Sequence, residues 1–317
     1  MDNKKEKEKM ASILITGGAG NIGSSLLVQL AKNENDTIVV ADNLLTGDVS
    51  KVPKKKNIIF IKSDVNNFND ISAIFHSFKF DFVFHFAAVV GVQRTLNNPL
   101  MVLEDIKGFE NILNLSKNTN VKKVYFSSSS EVYGEPFEIP QNEHTTPLNS
   151  KLPYAIVKNL GESYLKSYNQ EFGLDYTIFR FFNTYGPNQS LDFVIPKFID
   201  LALKNKPITI YGEGSQTRTF CYIDDNIDTI LNIHSGNLLS GEVINIGNDK
   251  EISILELAQM IVRITTSTSE IIHLDALEEG DMTRRCPDIS KMKEVLKREL
   301  LPVEKGIRKY VEFLSKQ

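Results

Sequence analysis

The sequence predicts an α/β protein built on a doubly wound parallel sheet, with a smaller lobe beside it. Short runs of β-branched and aromatic residues alternate with segments whose apolar residues recur at helical spacing. Alternating strands and helices imply right-handed crossovers and a parallel sheet that helices cover on both faces. The length of 317 residues fits two domains, or one large α/β unit with an added lobe, at about 150 residues per domain.

The strands and helices follow from these patterns in chain order. Six strands are predicted at Ser12–Thr16, Thr37–Ala41, Ile58–Lys62, Phe82–Phe86, Lys123–Ser127 and Asp175–Phe181. The helices between them are predicted at Asn21–Lys32, Asn69–Phe78, Pro99–Asn118 and Pro153–Phe172. A later helix at Asp225–His234 and a strand at Val243–Ile246 extend the sheet to seven strands. After Phe182 the rhythm is lost, and the amphipathic helices Ile252–Arg263 and Lys305–Leu314 indicate the smaller lobe.

Composition excludes several classes of protein. There are 36 Lys and Arg against 40 Asp and Glu, a net charge of −4, so no basic surface for nucleic acid or an anionic membrane is expected. Two cysteines cannot build a disulfide framework or a cysteine-rich metal site, and no metal is expected. Residues 1–10 are predicted to be a disordered, charged tail. With no signal-peptide pattern and no membrane span expected, the predicted location is the cytoplasm.

A glycine-rich turn is the sharpest local signal. In ILITGGAGNIG, a strand ends and Gly17, Gly20 and Gly23 follow at intervals of three before a helix begins. Small residues allow close backbone approach to a pyrophosphate, and the helix N-terminus supplies unpaired N–H groups. Asn21 and Ile22 lie within this turn. The spacing and context predict a dinucleotide site.

Two aspartates at strand ends refine that prediction. Asp42 closes the strand VVAD, where a carboxylate accepts both ribose hydroxyls and repels a 2′-phosphate, which favours NAD over NADP. A cap of the following turn is the alternative role for Asp42. Asp64 closes IIFIKSD and is a candidate acceptor from the adenine amino group, with a plain turn role nearly as well supported.

A Tyr-x-x-x-Lys pair supplies the candidate chemistry. Tyr154 and Lys158 lie four residues apart, on one face of the helix that begins at Pro153. A nearby ammonium and a nicotinamide cation favour a phenolate, so the pKa of Tyr154 is expected to fall until the phenol is a usable base. Upstream, FSSSSEVYG ends a strand at the sheet edge where ligands bind in such folds.

Together these motifs resemble the extended short-chain dehydrogenase/reductase family, and within it the nucleotide-sugar epimerases, dehydratases and decarboxylases. The resemblance rests on TGGAGNIG, DNLLTG, FHFAA, SSSSEVYG, PYAIVK, RFFNTYGP and GSQTRTFCYIDD, in that order. It runs from Ser12 to the C-terminal TRRCPDISK. It implies a seven-stranded, Rossmann-like NAD domain (residues 11–182 and about 219–247) and a substrate-binding lobe (183–218 and about 248–317).

The resemblance also implies roles for individual residues. The catalytic positions are Ser129, Glu131, Tyr154 and Lys158. The NAD-binding positions are Gly17, Gly20, Asn21, Ile22, Gly23, Asp42, Asn43, Asp64, Val65, Ala87, Ala88, Tyr154 and Lys158. The positions for a nucleotide-diphosphate sugar are Ser129, Asn183, Tyr211, Arg218, Arg284 and Arg285. Tyr211 is expected to pack on the base and Arg218 to bind the diphosphate, helped by Arg284 or Arg285.

The implied reaction oxidises carbon 4 of a hexose to a ketone, with the hydride held on bound NAD. Epimerisation, dehydration and decarboxylation of a uronate all start from that ketone, and the sequence leaves the choice open. Glu131 matches the dehydratases and decarboxylases, where it would act on carbon 5, but Ser130 stands where dehydratases have Asp. Asp105 stands where the family often has Asn, which leaves its hydrogen bonding open.

Three further expectations complete the prediction. A non-catalytic NAD-binding regulator is one alternative class, and a simple alcohol dehydrogenase with freely exchanging NAD is another. The segments Pro99–Asn118 and Pro153–Phe172 are expected to pair across a two-fold axis, because the resembled family forms homodimers through a four-helix bundle.

Overall fold

The computed structural model describes residues 10–135, 137–275 and 284–316. The predicted tail lies outside the described residues except for Met10. The strands are β1 Ser12–Thr16, β2 Thr37–Asp42, β3 Ile58–Lys62, β4 Phe82–His85, β5 Lys123–Ser129, β6 Asp175–Phe181, β7 Thr184–Tyr185, β8 Ile208–Tyr211, β9 Thr217–Thr219, β10 Cys221–Tyr222, β11 Glu242–Ile246, β12 Glu251–Ser253 and β13 Ile271–Leu274.

Eleven α-helices lie within the described ranges. They are α1 Asn21–Leu30, α2 Phe68–Ser77, α3 Val92–Asn97, α4 Pro99–Leu103, α5 Asp105–Asn118, α6 Pro153–Phe172, α7 Val194–Leu203, α8 Ile223–Ser235, α9 Ile254–Thr265, α10 Ser290–Leu296 and α11 Val303–Leu314. Short 3₁₀ helices cover Val49–Lys51 and Ser130–Tyr133.

The central sheet has seven parallel strands in the order β3-β2-β1-β4-β5-β6-β11. The fold class predicted from the sequence is therefore confirmed. The last strand, β11, comes from beyond residue 240 and pairs with β6, with Val243 opposite Ile178. The chain thus leaves the sheet after β6 and returns to it through α8.

Successive side chains of each strand point to opposite faces of the sheet, and both faces are buried in the core. Ile13 and Ile15 of β1 join one core cluster, together with residues of α1 and α8, and Leu14 joins the other, with residues of α2 and α5. This two-sided burial is why the strands are apolar at nearly every position.

Beside the central sheet, the described residues form three two-stranded sheets with helices around them. β7 pairs with β10 and β8 with β13, both parallel, whereas β9 pairs with β12 in antiparallel register. Helices α7, α9 and α11 pack in this part of the chain. The boundaries between the two lobes stay a prediction.

One predicted helix is wrong in detail. The segment Pro99–Asn118 forms two helices, α4 and α5, because a turn at Glu104 interrupts it and the Lys107 N–H bonds the Glu104 carbonyl. The helix α3 was not predicted. It follows Gly91, where the chain turns with a φ of +104°. Both features lie beside the cavity described next.

Candidate active site

A cavity of about 640 Å³ opens along the carboxyl edge of the central sheet. It runs from the glycine-rich turn, past the ends of β4 and β5, to the segment that follows β6. Every residue predicted to bind NAD lines it, as do Ser129, Glu131, Asn183 and Arg285. The predicted NAD-binding residues alone come from five separate stretches of sequence, which meet in one place.

The glycine turn leaves no room for a side chain at Gly17 or Gly23. A Cβ on Gly17 would lie 2.6 Å from the Ala87 nitrogen, and φ at Gly17 is +69°. A Cβ on Gly23 would lie 2.3 Å from the Gly17 carbonyl oxygen. Helix α1 begins at Asn21 without a side-chain cap, so its first N–H groups are available to an anion.

Asp42 lies at the far end of this part of the cavity. Its carboxylate accepts the Ala19 N–H at 3.0 Å and the Leu44 N–H at 2.8 Å. It therefore fixes the glycine turn while facing the cavity. Asp64 accepts the Asn66 N–H at 2.9 Å, so the turn role that the sequence left open is present, and it also lines the cavity.

Ser129, Tyr154 and Lys158 form the wall at the end of β5. The Ser129 hydroxyl hydrogen-bonds the Tyr154 side chain and accepts the Glu131 N–H at 3.2 Å. The Lys158 Nζ donates to the Ser127 carbonyl at 2.7 Å and lies 3.5 Å from the Ser127 hydroxyl. Helix α6 is predicted correctly from Pro153 to Phe172 and carries both Tyr154 and Lys158.

The predicted lowering of the Tyr154 pKa depends on a nearby ammonium and a nicotinamide cation; for the chain alone the pKa is raised. Burial raises the pKa of Tyr154, the negative charge of Glu131 raises it further, and the hydrogen bond with Ser129 opposes this only in part. Burial also lowers the pKa of Lys158 to about 8. The phenol is therefore protonated at neutral pH until another positive charge comes close.

Glu131 and Arg285 face each other on the cavity wall. Arg285 donates to Glu131 Oε1 at 2.7 Å, and its Nη1 lies 3.4 Å from the Ser130 hydroxyl. The Glu131 side chain is 27% exposed and ion-paired. Arg285, offered as a diphosphate ligand, instead contacts this carboxylate.

Three residues predicted to bind substrate lie apart from the cavity wall. Tyr211, at the end of β8, is 41% exposed. Arg218 lies on β9 and donates to its neighbour's carbonyl, and Arg284 forms a two-point ion pair with Glu251 of the adjacent β12. Of the two arginines between which the sequence left the choice open, Arg285 lies on the cavity wall, and which of them contacts the diphosphate stays a prediction. Roles for the other three stay predictions.

Sequence reasoning missed several residues on or beneath the wall. Buried His85 lies 2.8 Å from the Thr16 hydroxyl, and burial lowers its pKa to about 3, so it is neutral. Lys51 and Arg94 also line the cavity, on a 3₁₀ helix and a helix that the sequence did not predict. Lys51 and Arg94 belong to no recognisable motif, so only the folded structure shows that they line the cavity.

A buried ion pair supports the strand end from behind. Glu162 of α6 accepts two hydrogen bonds from Arg180 of β6, at 2.9 and 2.7 Å, and one from the Ser128 hydroxyl at 2.6 Å. Arg180 also donates a hydrogen bond to the Tyr133 hydroxyl, at 2.8 Å. This network joins β5, β6 and the turn that carries Glu131.

Comparison with known proteins explains this assembly of motifs. The model of the NAD dependent epimerase/dehydratase family matches residues 13–247. The chain belongs to this family. It is an NAD-dependent enzyme, as predicted. The glycine turn without room for Cβ atoms, the open start of α1 and the Asp42 carboxylate are the parts of the structure that fit NAD.

Relatives with different reactions match almost the whole chain. A Methanocaldococcus jannaschii protein assigned as a UDP-glucose 4-epimerase is 34% identical, over 96% of this chain and 98% of its own. UDP-glucuronic acid decarboxylase 3 of Arabidopsis thaliana is also 34% identical, over 93% of this chain and 86% of its own. The Thermotoga maritima UDP-glucose 4-epimerase, solved with UDP-glucose, superposes with a TM-score of 0.90 at 31% identity, covering 96% and 99% of the two chains.

Two negative findings hold for the described ranges. No helix there is both long and apolar enough to cross a membrane. No group of three or more His, Cys, Asp or Glu side chains in those ranges is placed to hold a metal ion.

Proposed function

We propose that this enzyme acts on a nucleotide-diphosphate sugar by oxidising carbon 4 of the hexose to a ketone. One observation carries the proposal: the hydrogen-bonded Ser129 and Tyr154 share a cavity wall with Lys158 and the glycine-rich turn. An alcohol carbon bound at that wall would lie between the Ser129 hydroxyl, the Tyr154 phenol and the cofactor site. The UDP-sugars in the names of its relatives supply the substrate class.

Each of these three side chains has a distinct task. Ser129 positions the 4-hydroxyl through its own hydroxyl, and Tyr154 takes the proton from that 4-hydroxyl. Two N–H groups of the Lys158 ammonium donate to the Ser127 carbonyl and hydroxyl. The third N–H is available to hydrogen-bond the ribose of the cofactor. When bound, NAD supplies a hydride acceptor and donor for carbon 4 and a positive ring beside the phenol.

The fate of the ketone depends on the side chains next to Ser129. For loss of water, Glu131 would take the carbon 5 proton, which the neighbouring ketone makes acidic. For loss of carbon dioxide, the bond from carbon 5 to the carboxylate breaks and carbon 5 gains a proton. Arg285 balances the charge of Glu131. This ion pair favours a second candidate function, in which the ketone is followed by loss of water or of carbon dioxide. Simple return of the hydride to the other face gives a 4-epimer and needs neither residue.

A panel of UDP-, dTDP- and GDP-hexoses and uronates tests the proposal by mass spectrometry. A product lighter by one water indicates dehydration, one lighter by carbon dioxide indicates decarboxylation, and a new isomer of equal mass indicates epimerisation. Bound NAD with no turnover on any sugar identifies the non-catalytic regulator. NADH released in equal amount to the product identifies the simple dehydrogenase.

We also propose that the protein is a homodimer. Leu100 and Leu103 of α4 and Ile156 of α6 are 77, 37 and 43% exposed, respectively, and the two helices pack on each other. These side chains supply an apolar surface for the same helices of a second copy. The interface coincides with the helical segments expected from the family resemblance.

A further inference from the structure

A buried chain of hydrogen bonds starts at the turn that carries Glu131. Tyr133 ends the short 3₁₀ helix that contains Glu131, and its hydroxyl donates to Asn245 Oδ1 at 2.7 Å. Both side chains of this bond are buried, so bulk water does not compete for it. A buried polar group that loses such a partner is left unsatisfied, which makes the bond costly to break.

The register of the central sheet explains why Asn245 reaches Tyr133. Asn245 lies on β11 directly opposite Arg180 of β6. Side chains opposite each other on neighbouring strands share one face of the sheet. The Tyr133 hydroxyl accepts from Arg180 Nη1 at 2.8 Å and donates to Asn245, so both of these side chains fix its position.

The amide nitrogen of Asn245 binds the segment that follows Arg285. Its Nδ2 donates to the Gln141 carbonyl at 2.9 Å and to the Asp288 carbonyl at 3.3 Å. Gln141 pairs with the same segment, because its N–H donates to the Cys286 carbonyl and its carbonyl accepts the Asp288 N–H, both at 2.8 Å. The Asn245 side chain therefore uses its oxygen and both amide hydrogens on these partners.

One side chain thus connects the two segments that supply the ion pair of the cavity wall. We propose that Asn245 is a positioning residue that holds Arg285 opposite Glu131. It fixes the turn of Glu131 through Tyr133 and the segment of Arg285 through Asp288. Its effect on turnover rests on the proposed function, in the candidate where this pair acts after the ketone forms.

The arrangement of donors and acceptors is specific for an amide. Asn245 Oδ1 faces a hydroxyl donor, and Nδ2 faces two carbonyl acceptors. Asn245→Asp keeps the size and the acceptor for Tyr133, but it places a second acceptor against both carbonyls. The Asn245 N–H also donates to Glu143 Oε1 at 2.8 Å, so the new charge would lie near another carboxylate. This variant therefore removes the contact with the Arg285 segment at almost unchanged volume.

The thiol of Cys286 measures how firmly that segment is held. Cys286 is adjacent to Arg285 and 8% exposed, whereas Cys221, the other cysteine of the chain, is 0% exposed. Iodoacetamide labelling of the folded holoenzyme, followed by peptide mass spectrometry, gives a rate for each thiol. In Asn245→Asp the rate at Cys286 should rise about tenfold or more, because more than one hydrogen bond is lost. The rate at Cys221 should stay unchanged, because it reports wider unfolding.

A second variant tests the same contact without a new charge. Tyr133→Phe removes only the hydroxyl that Asn245 accepts, and it should speed Cys286 labelling about 2- to 12-fold, the factor for one hydrogen bond of ordinary net strength. It decides the proposal if Asn245→Asp does not fold.

Asn226→Ala is the matched control. Asn226 is also 0% exposed, but its amide donates to the Thr184 hydroxyl, on the strand that pairs with the strand of Cys221. It should leave Cys286 labelling unchanged. Unchanged Cys286 labelling in both Asn245→Asp and Tyr133→Phe overturns the proposal, as does an equal rise in Asn226→Ala.

Single-turnover kinetics with the sugar that the panel identifies give an independent readout. The absorbance of bound NADH reports oxidation of carbon 4, the step assigned to Ser129, Tyr154 and Lys158. Asn245→Asp should leave that rate unchanged and slow the later loss of water or carbon dioxide, whereas a merely structural loss would slow both. If the proposed function fails, no variant turns over sugar but the faster Cys286 labelling remains. If only this inference fails, sugar is turned over and Cys286 labelling stays at the wild-type rate.

Discussion

Arg285 Nη1 lies 2.7 Å from Glu131 Oε1, although 154 positions separate these residues in the chain. The arginine is 10% exposed and the glutamate 27%. The pair places a carboxylate close to the Ser129 and Tyr154 wall with its charge balanced. In the proposed reaction, Glu131 acts on carbon 5, next to the carbon that is oxidised.

The first prediction concerns that pair. With the sugar that the panel identifies, Glu131→Gln should reduce product formation by about 100- to 10,000-fold, the usual contribution of a positioned general base. Deuterium from solvent should enter carbon 5 with the wild type and not with this variant. Arg308→Gln, an exposed arginine on α11 paired with Glu304, is the control and should retain full turnover. If the wild type forms only the 4-epimer without deuterium, Glu131 has no role in the chemistry.

The second prediction concerns cofactor choice. Asp42 is 7% exposed and faces the cavity with its carboxylate held by two backbone N–H groups. A carboxylate there repels a 2′-phosphate, so the wild type should bind NAD much more tightly than NADP. Asp42→Ala should narrow that ratio, as measured by titration of apoenzyme with each cofactor. A wild-type preference for NADP would contradict the assignment.

How far the sequence predicts this site depends on whether a residue belongs to a local motif. The glycine turn, Asp42, Tyr154 and Lys158 were predicted because each has a fixed spacing to a strand or helix end, and all of them line the cavity. The seven parallel strands follow from the alternation of patterns, and the structure confirms them.

What the sequence did not predict depends on contacts between distant segments. The Glu131–Arg285 and Lys51–Asn188 contacts join residues more than a hundred positions apart. The prediction for the pKa of Tyr154 counted the charges of Lys158 and a bound nicotinamide; burial, which no motif encodes, raises that pKa in the chain alone. The break at Glu104 was missed because the apolar spacing continues across it.

The third prediction concerns retention of the cofactor. Lys51 donates from Nζ to the Asn188 carbonyl at 2.9 Å, and the Asn188 amide lies 3.4 Å from the Ser24 hydroxyl of α1. These contacts fasten the segment after β7 across the cavity, next to the glycine turn. Lys51→Met should speed NAD release by about tenfold, since a hydrogen bond to a charged group contributes about 1.5–3 kcal/mol and the site is partly exposed.

Lys55→Met is its matched control. Lys55 donates to the Ala31 carbonyl, outside the cavity, so its loss should not change NAD release. Stopped-flow fluorescence with excess competing nucleotide measures both rates. Equal release from the wild type and Lys51→Met would show that this contact does not retain the cofactor.

The fourth prediction concerns stability. Glu162 and Arg180 are 0 and 2% exposed, and Glu162→Gln would leave a buried guanidinium without its counter-charge. Removal of one partner from such a pair costs about 3–5 kcal/mol in the free energy of unfolding. Urea denaturation should register this loss, whereas Glu312→Gln, on the exposed end of α11, should leave the midpoint unchanged. A change in Glu162→Gln below about 1 kcal/mol would mean that water reaches the guanidinium.

The last prediction concerns the proposed dimer. Leu100, on α4, is 77% exposed. Burial of this apolar side chain against a second copy would stabilise the dimer. Leu100→Glu places a charge at the centre of the proposed interface and should convert the dimer to a monomer, as measured by light scattering at micromolar concentration. Leu203→Glu, at the end of α7 and 46% exposed, makes the same change on another helix and should leave the dimer intact. A buried unpaired carboxylate in an apolar interface is strongly unfavourable, so a dimer that persists in Leu100→Glu would place the contact between copies elsewhere. A wild-type monomer would exclude the dimer.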